Sequence, residues 1–187
     1  MRKLACFMML SVDGYFEGRQ PWSIDWHTVD DEFNQFAERQ LAASDLLVFG
    51  RATYQGMAQY WPSPEALKDD PVIASLMNST PKAVVSRTLR VGDMAWANTQ
   101  VLKEVEELAT LKEQKGKDML VLGSSVLTAG LLEKGLLDEV RIMMSPVLLG
   151  EGNSFAGHPG HAHPLRLLGA RQFRNGNVLL TYAPRRA

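Results

Sequence analysis

The residues best suited to chemistry in this chain follow an apolar run that ends on a glycine. The run 46–49 predicts a buried strand, and the residues after Gly50, among them Arg51 and Thr53, predict the first turn of a helix. A helix that begins there presents free backbone N–H groups and the positive end of its dipole, which together favour a phosphate group. Arg51 adds a planar cation that can bind two phosphate oxygens, although an ordinary surface arginine is the alternative interpretation.

A second segment has the same organisation further along the chain. The apolar run 118–122 predicts a strand that leads into Gly123, Ser124 and Ser125, where a helix begins. Free N–H groups and two hydroxyl groups at a helix start again favour an anionic ligand. The alternative is simple capping of that helix by Ser124 or Ser125.

A third strand end also carries polar groups. The short apolar run 82–85 is followed by Ser86 and Arg87. A hydroxyl donor and a guanidinium group suit a phosphate with close to two negative charges. We therefore expect Arg51 and Arg87, each placed just after a strand, to converge on one phosphate group.

These segments lie in an alternation of strands and helices, which predicts an α/β sheet, and the Asn175-Gly176 turn adds antiparallel strands at the end of the chain. Continuous apolar runs predict strands buried on both faces, and apolar residues three and four apart predict amphipathic helices. The predicted strands are 4–10, 45–49, 82–86, 94–97, 118–122, 139–145, 165–173 and 177–183, and the predicted helices include 50–60, 72–77, 99–114 and 125–134.

Composition narrows the class of protein. The 187 residues predict one domain spanning 1–187, and a net charge of −1 gives no reason to expect nucleic acid or anionic lipid as a partner. The single cysteine, Cys6, lies in an apolar strand and has no partner for an internal disulfide, so we expect a buried core residue and a cytoplasmic protein. No apolar run reaches the roughly 18 residues of a membrane span.

Taken in order, these segments resemble the dihydrofolate reductase superfamily, in the branch of the C-terminal reductase domain of bacterial bifunctional riboflavin biosynthesis deaminase/reductase. The resemblance runs from about residue 3 to residue 183. It implies a dihydrofolate reductase-like α/β fold, with a central mixed, mostly parallel eight-stranded sheet, flanking helices and an antiparallel C-terminal strand. The segments that carry it are 10–16, 46–54, 82–89, 120–127, 137–141 and 146–152.

The resemblance also implies NADPH as the cofactor. Arg51 would contact the adenosine 2′-phosphate, and Thr53, with the N–H groups after Gly50, would contact the pyrophosphate. Ser86 and Arg87 would hold the 2′-phosphate side. The segment Gly123, Ser124 and Ser125 would contact the pyrophosphate and the nicotinamide, with an unusual cis peptide at that turn.

The long segment after the first strand is implied to border the reaction site. Trp22 would lie on a loop that closes over the nicotinamide and excludes water. Ser11 would line the nicotinamide pocket through its backbone. Asp13 is our first choice for a catalytic or substrate contact, and an equally good alternative is an Asx turn beside Gly14.

The next helix departs from the folate-reducing pattern. Counting back from Gly50 places Asn34, beside Phe33, where dihydrofolate reductases carry a carboxylate, and an amide has no titratable proton to donate. We therefore predict that Phe33 and Asn34 face the substrate and that folate is not reduced. A zinc deaminase domain is not expected, since one cysteine cannot supply its ligands.

The resulting hypothesis is an NADPH-dependent reductase of a small heterocyclic or carbonyl substrate, similar to the 5-amino-6-(5-phosphoribosylamino)uracil reductases. The alternative is a non-catalytic NADP-binding or regulatory module, because no proton donor is evident. No metal site is predicted: His158, His161 and His163 fit a solvated loop at the pocket rim better than a metal centre. The apolar segment 140–149 and the resemblance together predict a homodimer that uses strands of the last third of the chain.

Overall fold

An eight-stranded sheet forms the centre of the molecule. The computed structural model describes residues 1–155 and 162–185. The strands of the sheet lie in the order β5-β4-β3-β6-β1-β7-β10-β9, and β2 and β8 pair separately. The strands are β1 (Leu4–Ser11), β2 (Tyr15–Glu17), β3 (Ser44–Gly50), β4 (Lys82–Val85), β5 (Thr99–Leu102), β6 (Asp118–Leu122), β7 (Glu139–Ser145), β8 (Asn153–Ser154), β9 (Leu165–Gln172) and β10 (Val178–Pro184).

The direction of the strands confirms the expected sheet. Neighbouring strands from β5 to β7 all run parallel, whereas β10 runs antiparallel to both β7 and β9. Parallel strands need crossover connections, and helices supply most of these. The fold is therefore the mixed, mostly parallel α/β sheet with an antiparallel C-terminal strand that the sequence predicts.

Within the described residues six α-helices flank the sheet, and the core lies on both of its faces. Alternate residues of β1, β3 and β6 enter two separate apolar clusters, because successive side chains of a strand point to opposite faces. Phe33 and Leu41 pack into one cluster, and Leu108 and Leu131 into the other. The helices are α1 (Asp31–Ala42), α2 (Arg51–Tyr60), α3 (Pro64–Asp69), α4 (Pro71–Ser79), α5 (Glu107–Glu113) and α6 (Ser125–Glu133).

Two regions differ from the sequence prediction. The strand predicted at 94–97 is wrong, and the helix predicted at 99–114 is divided between strand β5 and the seven-residue helix α5. Residues 99–102 pair with β4, so tertiary pairing overrides their weak helical periodicity. Between residues 62 and 81 there are two helices rather than one, because Pro64 and Pro71 each occupy a favourable first-turn position.

The buried residue Cys6 behaves as predicted. Its side chain is fully buried in β1, and burial raises the pKa of the thiol to about 12. A thiol with such a pKa is not a nucleophile at neutral pH. Cys6 is therefore a core residue.

Candidate functional site

A cavity of about 1110 Å³ opens beside the carboxyl ends of the parallel strands. Its walls come from α1, α2, α4 and α6 and from the segment 16–29. The strand order changes direction between β3 and β6, and the crevice outside such a change is the usual ligand site of open α/β sheets. Sites for one drug-sized ligand span about 300–1,000 Å³, so this cavity has room for more than one such group.

One side of the cavity, here called the helix-start end, consists of Gly50, Arg51, Thr53 and the segment 123–125. Helices α2 and α6 both begin there, and in the described part of the chain no side chain caps either of them. By contrast, Asp30 caps α1 and Ser63 caps α3 through ordinary hydrogen bonds to backbone N–H groups. The N–H groups at the start of α2 and α6 are thus available to a ligand, and an anion suits them best.

The two helix starts lie in close contact with each other. A Cβ atom at residue 50 would collide with the hydroxyl of Ser124 and approach its Cβ atom to 3.2 Å, so a side chain at Gly50 would displace Ser124. Gly123 and Ser124 both adopt left-handed backbone conformations, with φ of +61° and +59°. The expected cis peptide at this turn is wrong, since every described peptide bond is trans. A left-handed serine costs about 1–2 kcal/mol relative to glycine, which is typical of a backbone held for a functional reason.

Ser86 and Arg87 line a separate groove of about 260 Å³ next to the cavity. Val85 and Val105 line both hollows, so the groove and the cavity adjoin. Arg87 forms an ion pair with Glu104 at 3.0 Å, and the hydrogen bond that the guanidinium donates to that carboxylate raises the pKa of Arg87. The structure therefore places Arg51 and Arg87 in neighbouring hollows, and not in the single phosphate site expected from the sequence.

The other side of the cavity, here called the α1–α4 end, contains His27, Phe33, Asn34, Asp70 and Ile73. The amide nitrogen of Asn34 donates a hydrogen bond of 3.3 Å to Asp70 Oδ1. Position 34 itself carries an amide, as the sequence shows, but a carboxylate lies beside it, because Asp70 supplies one from the junction of α3 and α4. Sequence analysis missed Asp70 since it lies 36 residues away and becomes a neighbour only when α1 packs on α4.

Sequence analysis also missed His27. Its Nε2 atom is buried and has no hydrogen-bond partner among the described residues, and the side chain lines the cavity. Burial lowers the pKa of this imidazole to about 4, so the ring is neutral at pH 7. A buried, unpaired ring nitrogen can donate one hydrogen bond to a ligand or accept one from it.

Trp22 lines the cavity. Its ring packs against Gly56 of α2, where any Cβ would collide with it. Its backbone is left-handed, with φ of +65°, and its N–H donates a hydrogen bond of 2.9 Å to Glu17. Glu17 in turn accepts a 2.7 Å bond from the Asn153 side chain, which fixes this segment over α2.

The structure does not support a substrate contact for Asp13 or a pocket role for Ser11. Neither residue is among those that line the cavity. The Asp13 carboxylate accepts hydrogen bonds from the Ser11 hydroxyl at 2.6 Å and from the N–H groups of Leu149 and Gly150. These bonds, first that of Ser11, lower the pKa of Asp13. Asp13 therefore connects the end of β1 to the segment after β7. These are contacts between distant segments and not the Asx turn beside Gly14 that was the alternative.

Two of the three histidines of the predicted loop cannot be placed. His158 and His161 lie outside the described residues. Within the described residues, no group of three or more His, Cys, Asp or Glu side chains is placed to hold a metal ion. In the same part of the chain, no helix has the length and apolar character needed to cross a membrane.

Comparison with known protein families shows the family of this chain. The family model of the RibD C-terminal domain matches residues 2–179. The chain belongs to this family. Among curated proteins, YyaP of Bacillus subtilis (strain 168), an uncharacterized protein, is 29% identical over 185 residues, covering 97% of this chain and 94% of YyaP.

Solved structures with this fold include reductases. A protein from Shewanella sp. PV-4, provisionally assigned to riboflavin biosynthesis, has a TM-score of 0.70 and 25% identity and covers 98% of this chain and 99% of its own. Dihydrofolate reductase from Enterococcus faecalis, solved with NADP(H) and RAB-propyl, has a TM-score of 0.65 and 18% identity. The match covers 98% of this chain and 97% of that enzyme's chain. The dihydrofolate reductase-like fold inferred from the sequence is thus confirmed, and the family is reductase-like.

Proposed function

We propose that this RibD-type chain is an NADPH-dependent reductase that transfers hydride to a small heterocyclic or carbonyl substrate. The observation that carries the proposal is the helix-start end, where two uncapped helices meet at the carboxyl ends of β3 and β6. Phosphate groups satisfy such N–H groups and the dipoles behind them. The close approach of Ser124 to Gly50 suits a turn over which a ligand's phosphates lie.

The residues of the helix-start end would divide the cofactor among them. The N–H groups of the first turns of α2 and α6, with Thr53, Ser124 and Ser125, suit the pyrophosphate. Arg51 would add charge at the start of α2. The adjoining groove with Ser86 and Arg87 would take the adenosine 2′-phosphate, where it competes with Glu104 for the Arg87 guanidinium.

The remaining cavity would position the substrate. Bound NADPH supplies the hydride, and the chain supplies binding, orientation and exclusion of water. Trp22 shields the site from solvent through its contact with Gly56. Phe33 and Ile73 give an apolar surface, while Asn34, Asp70 and the neutral His27 offer hydrogen bonds.

The proposal is tested by titrating the protein with NADPH and following nicotinamide absorbance with a panel of small heterocycles and carbonyl compounds. Binding with turnover of at least one compound supports the reductase. Binding without turnover across the panel favours the alternative, a non-catalytic NADP-binding or regulatory module. Failure to bind NADPH at all would overturn both.

We further propose that the protein is a homodimer that uses β9 and β10. Strand β9 lies at the edge of the sheet and is exposed along nearly its whole length, including Leu167 at 54% and Leu168 at 47%. An exposed apolar edge strand is rarely left uncovered. A specific interface would bury at least about 1,000 Å² in total. Light scattering coupled to gel filtration checks this, and a mass near 20.8 kDa would contradict it.

A further inference from the structure

Asp70 occupies the position from which an aspartate ordinarily caps a helix, yet it does not cap α4. An aspartate at this position usually accepts a hydrogen bond from the second or third N–H group of its helix. Here the carboxylate instead accepts a hydrogen bond from the side-chain amide of Asn34 in the cavity wall. No Lys or Arg of the described residues forms an ion pair with Asp70. The carboxylate thus retains acceptor capacity on the cavity side of α4.

The charge of the cavity is uneven. Arg51 is the only Lys or Arg among the described residues that line it, and Arg51 belongs to the helix-start end. The other acid of the lining, Glu17, is already bonded to Trp22 and Asn153. The α1–α4 end therefore has a carboxylate and no cation to offset it.

Two neighbouring groups add no positive charge at this end, and one of them responds to the charge of Asp70. Tyr60 lines the cavity, and its pKa is raised, first by partial burial and then by the charge of Asp70. His27 stays neutral at pH 7, as described above, so it offers a hydrogen bond and not a positive charge. A phosphate placed here would face Asp70 without a compensating cation, which is costly in a partly buried site.

We infer that the α1–α4 end selects a planar, non-phosphorylated substrate that presents N–H donors to Asp70, and that Asp70 is the residue that determines this specificity. The inference rests on the proposed function and narrows its substrate class to neutral or cationic amino-substituted heterocycles. Asn34 acts as a positioning residue, because its hydrogen bond holds the Asp70 carboxylate away from the first N–H groups of α4. The apolar surfaces of Phe33 and Ile73 suit the faces of a flat ring.

Three probes that differ at one substituent test the inference: 2-aminobenzimidazole, 2-methylbenzimidazole and benzimidazole-2-carboxylate. Each is titrated into the NADPH-saturated protein and followed by calorimetry or ligand-observed NMR. The amino compound should bind about tenfold more tightly than the methyl compound, because a hydrogen bond to a charged acceptor replaces an apolar contact. The carboxylate should bind most weakly.

Asp70→Asn removes the charge and leaves the size unchanged. In this variant the amino and methyl compounds should bind within about twofold of each other, and the carboxylate compound should gain affinity. Asp69→Asn, an equal loss of charge at the neighbouring exposed residue, is the matched control and should retain the wild-type order. Equal binding of the amino and methyl probes by the wild type, or the same change in both variants, would overturn the inference.

NADPH affinity, measured in the same variants, separates this result from the proposed function. Asp70→Asn should bind NADPH as the wild type does, since Asp70 lies at the opposite end from the helix starts. If NADPH does not bind the wild type, the proposed function fails. If NADPH binds but the probe order is wrong, only the substrate inference fails.

Discussion

The two ends of the cavity are built from different parts of the chain. The helix-start end consists mainly of backbone, in two turns where a strand passes directly into a helix. The α1–α4 end consists of side chains from three segments that are distant in sequence. A shared cofactor can therefore be bound by the architecture of the fold, while the substrate is chosen by side chains that can vary without changing that architecture.

The largest expected effect comes from breaking the helix-start end at Gly50. Its φ of −78° suits any residue, so Gly50→Val tests space alone, and the new side chain would collide with Ser124. We expect NADPH affinity to fall by about a hundredfold or more, or roughly 2.7 kcal/mol, because the two turns must separate. Binding of 2-aminobenzimidazole, measured without cofactor, should change little. Fluorescence titration of NADPH measures the effect.

Two further variants serve as controls for this prediction. Gly92→Ala adds a methyl group at a glycine with open space around it and should leave NADPH affinity unchanged. Gly50→Ala should be weakened less than Gly50→Val, and Ser124→Gly should restore much of its affinity by removing the colliding hydroxyl. An unaltered affinity in Gly50→Val would mean that the phosphates bind elsewhere.

The extent to which each end was predictable follows from this difference. Gly50, Arg51 and Thr53 could be singled out from the sequence because a strand, a glycine and a helix start are contiguous there, and all three line the cavity. The eight-stranded, mostly parallel sheet and its antiparallel C-terminal strand β10 also agree with the sequence prediction, whereas the order of the strands was not predicted. Asp70 was not predictable, since its role depends on the packing of α1 against α4 and on two helices where the sequence indicated one.

A second prediction concerns the α1–α4 end and acid. Burial lowers the pKa of His27 to about 4, below the ordinary value of about 6.5. Between pH 4 and pH 6.5, therefore, the imidazole binds a proton in the unfolded chain but not in the folded one. The contribution of this pKa shift to the free energy of unfolding is fully present above about pH 6.5 and is lost as the pH falls toward 4. Acidification from pH 7 to about pH 4.5 should cost the wild type about 2 kcal/mol more than His27→Gln.

Urea unfolding of the two proteins at both pH values measures this difference. Carboxylates that protonate in the same range affect both proteins equally, so the variant isolates the histidine. An identical loss of stability in both would show that the folded state accepts the proton, and that the ring is not isolated from solvent. The helix-start end contains no histidine, so NADPH-binding residues should not share this dependence.

The smallest expected effect distinguishes the cavity from the adjoining groove, the two hollows that are proposed to hold the cofactor. A charge-assisted hydrogen bond contributes about 1.5–3 kcal/mol, so NADPH should bind roughly tenfold or more tightly than NADH. Arg87→Ala should remove most of that preference, and Glu104→Gln should increase it by releasing the guanidinium. Arg51→Ala should also weaken NADPH more than NADH if Arg51 reaches the 2′-phosphate. Equal losses for both cofactors would assign Arg51 to the pyrophosphate, which both share.

The division of the cavity between cofactor and substrate is tested most directly by a crystal structure of the protein with NADPH and 2-aminobenzimidazole. We predict pyrophosphate oxygens about 3 Å from the N–H groups at the starts of α2 and α6, the nicotinamide beneath Trp22, and the amino group of the probe on Asp70. A phosphate bound against Asp70 and Asn34, or a probe at the helix starts, would contradict the account.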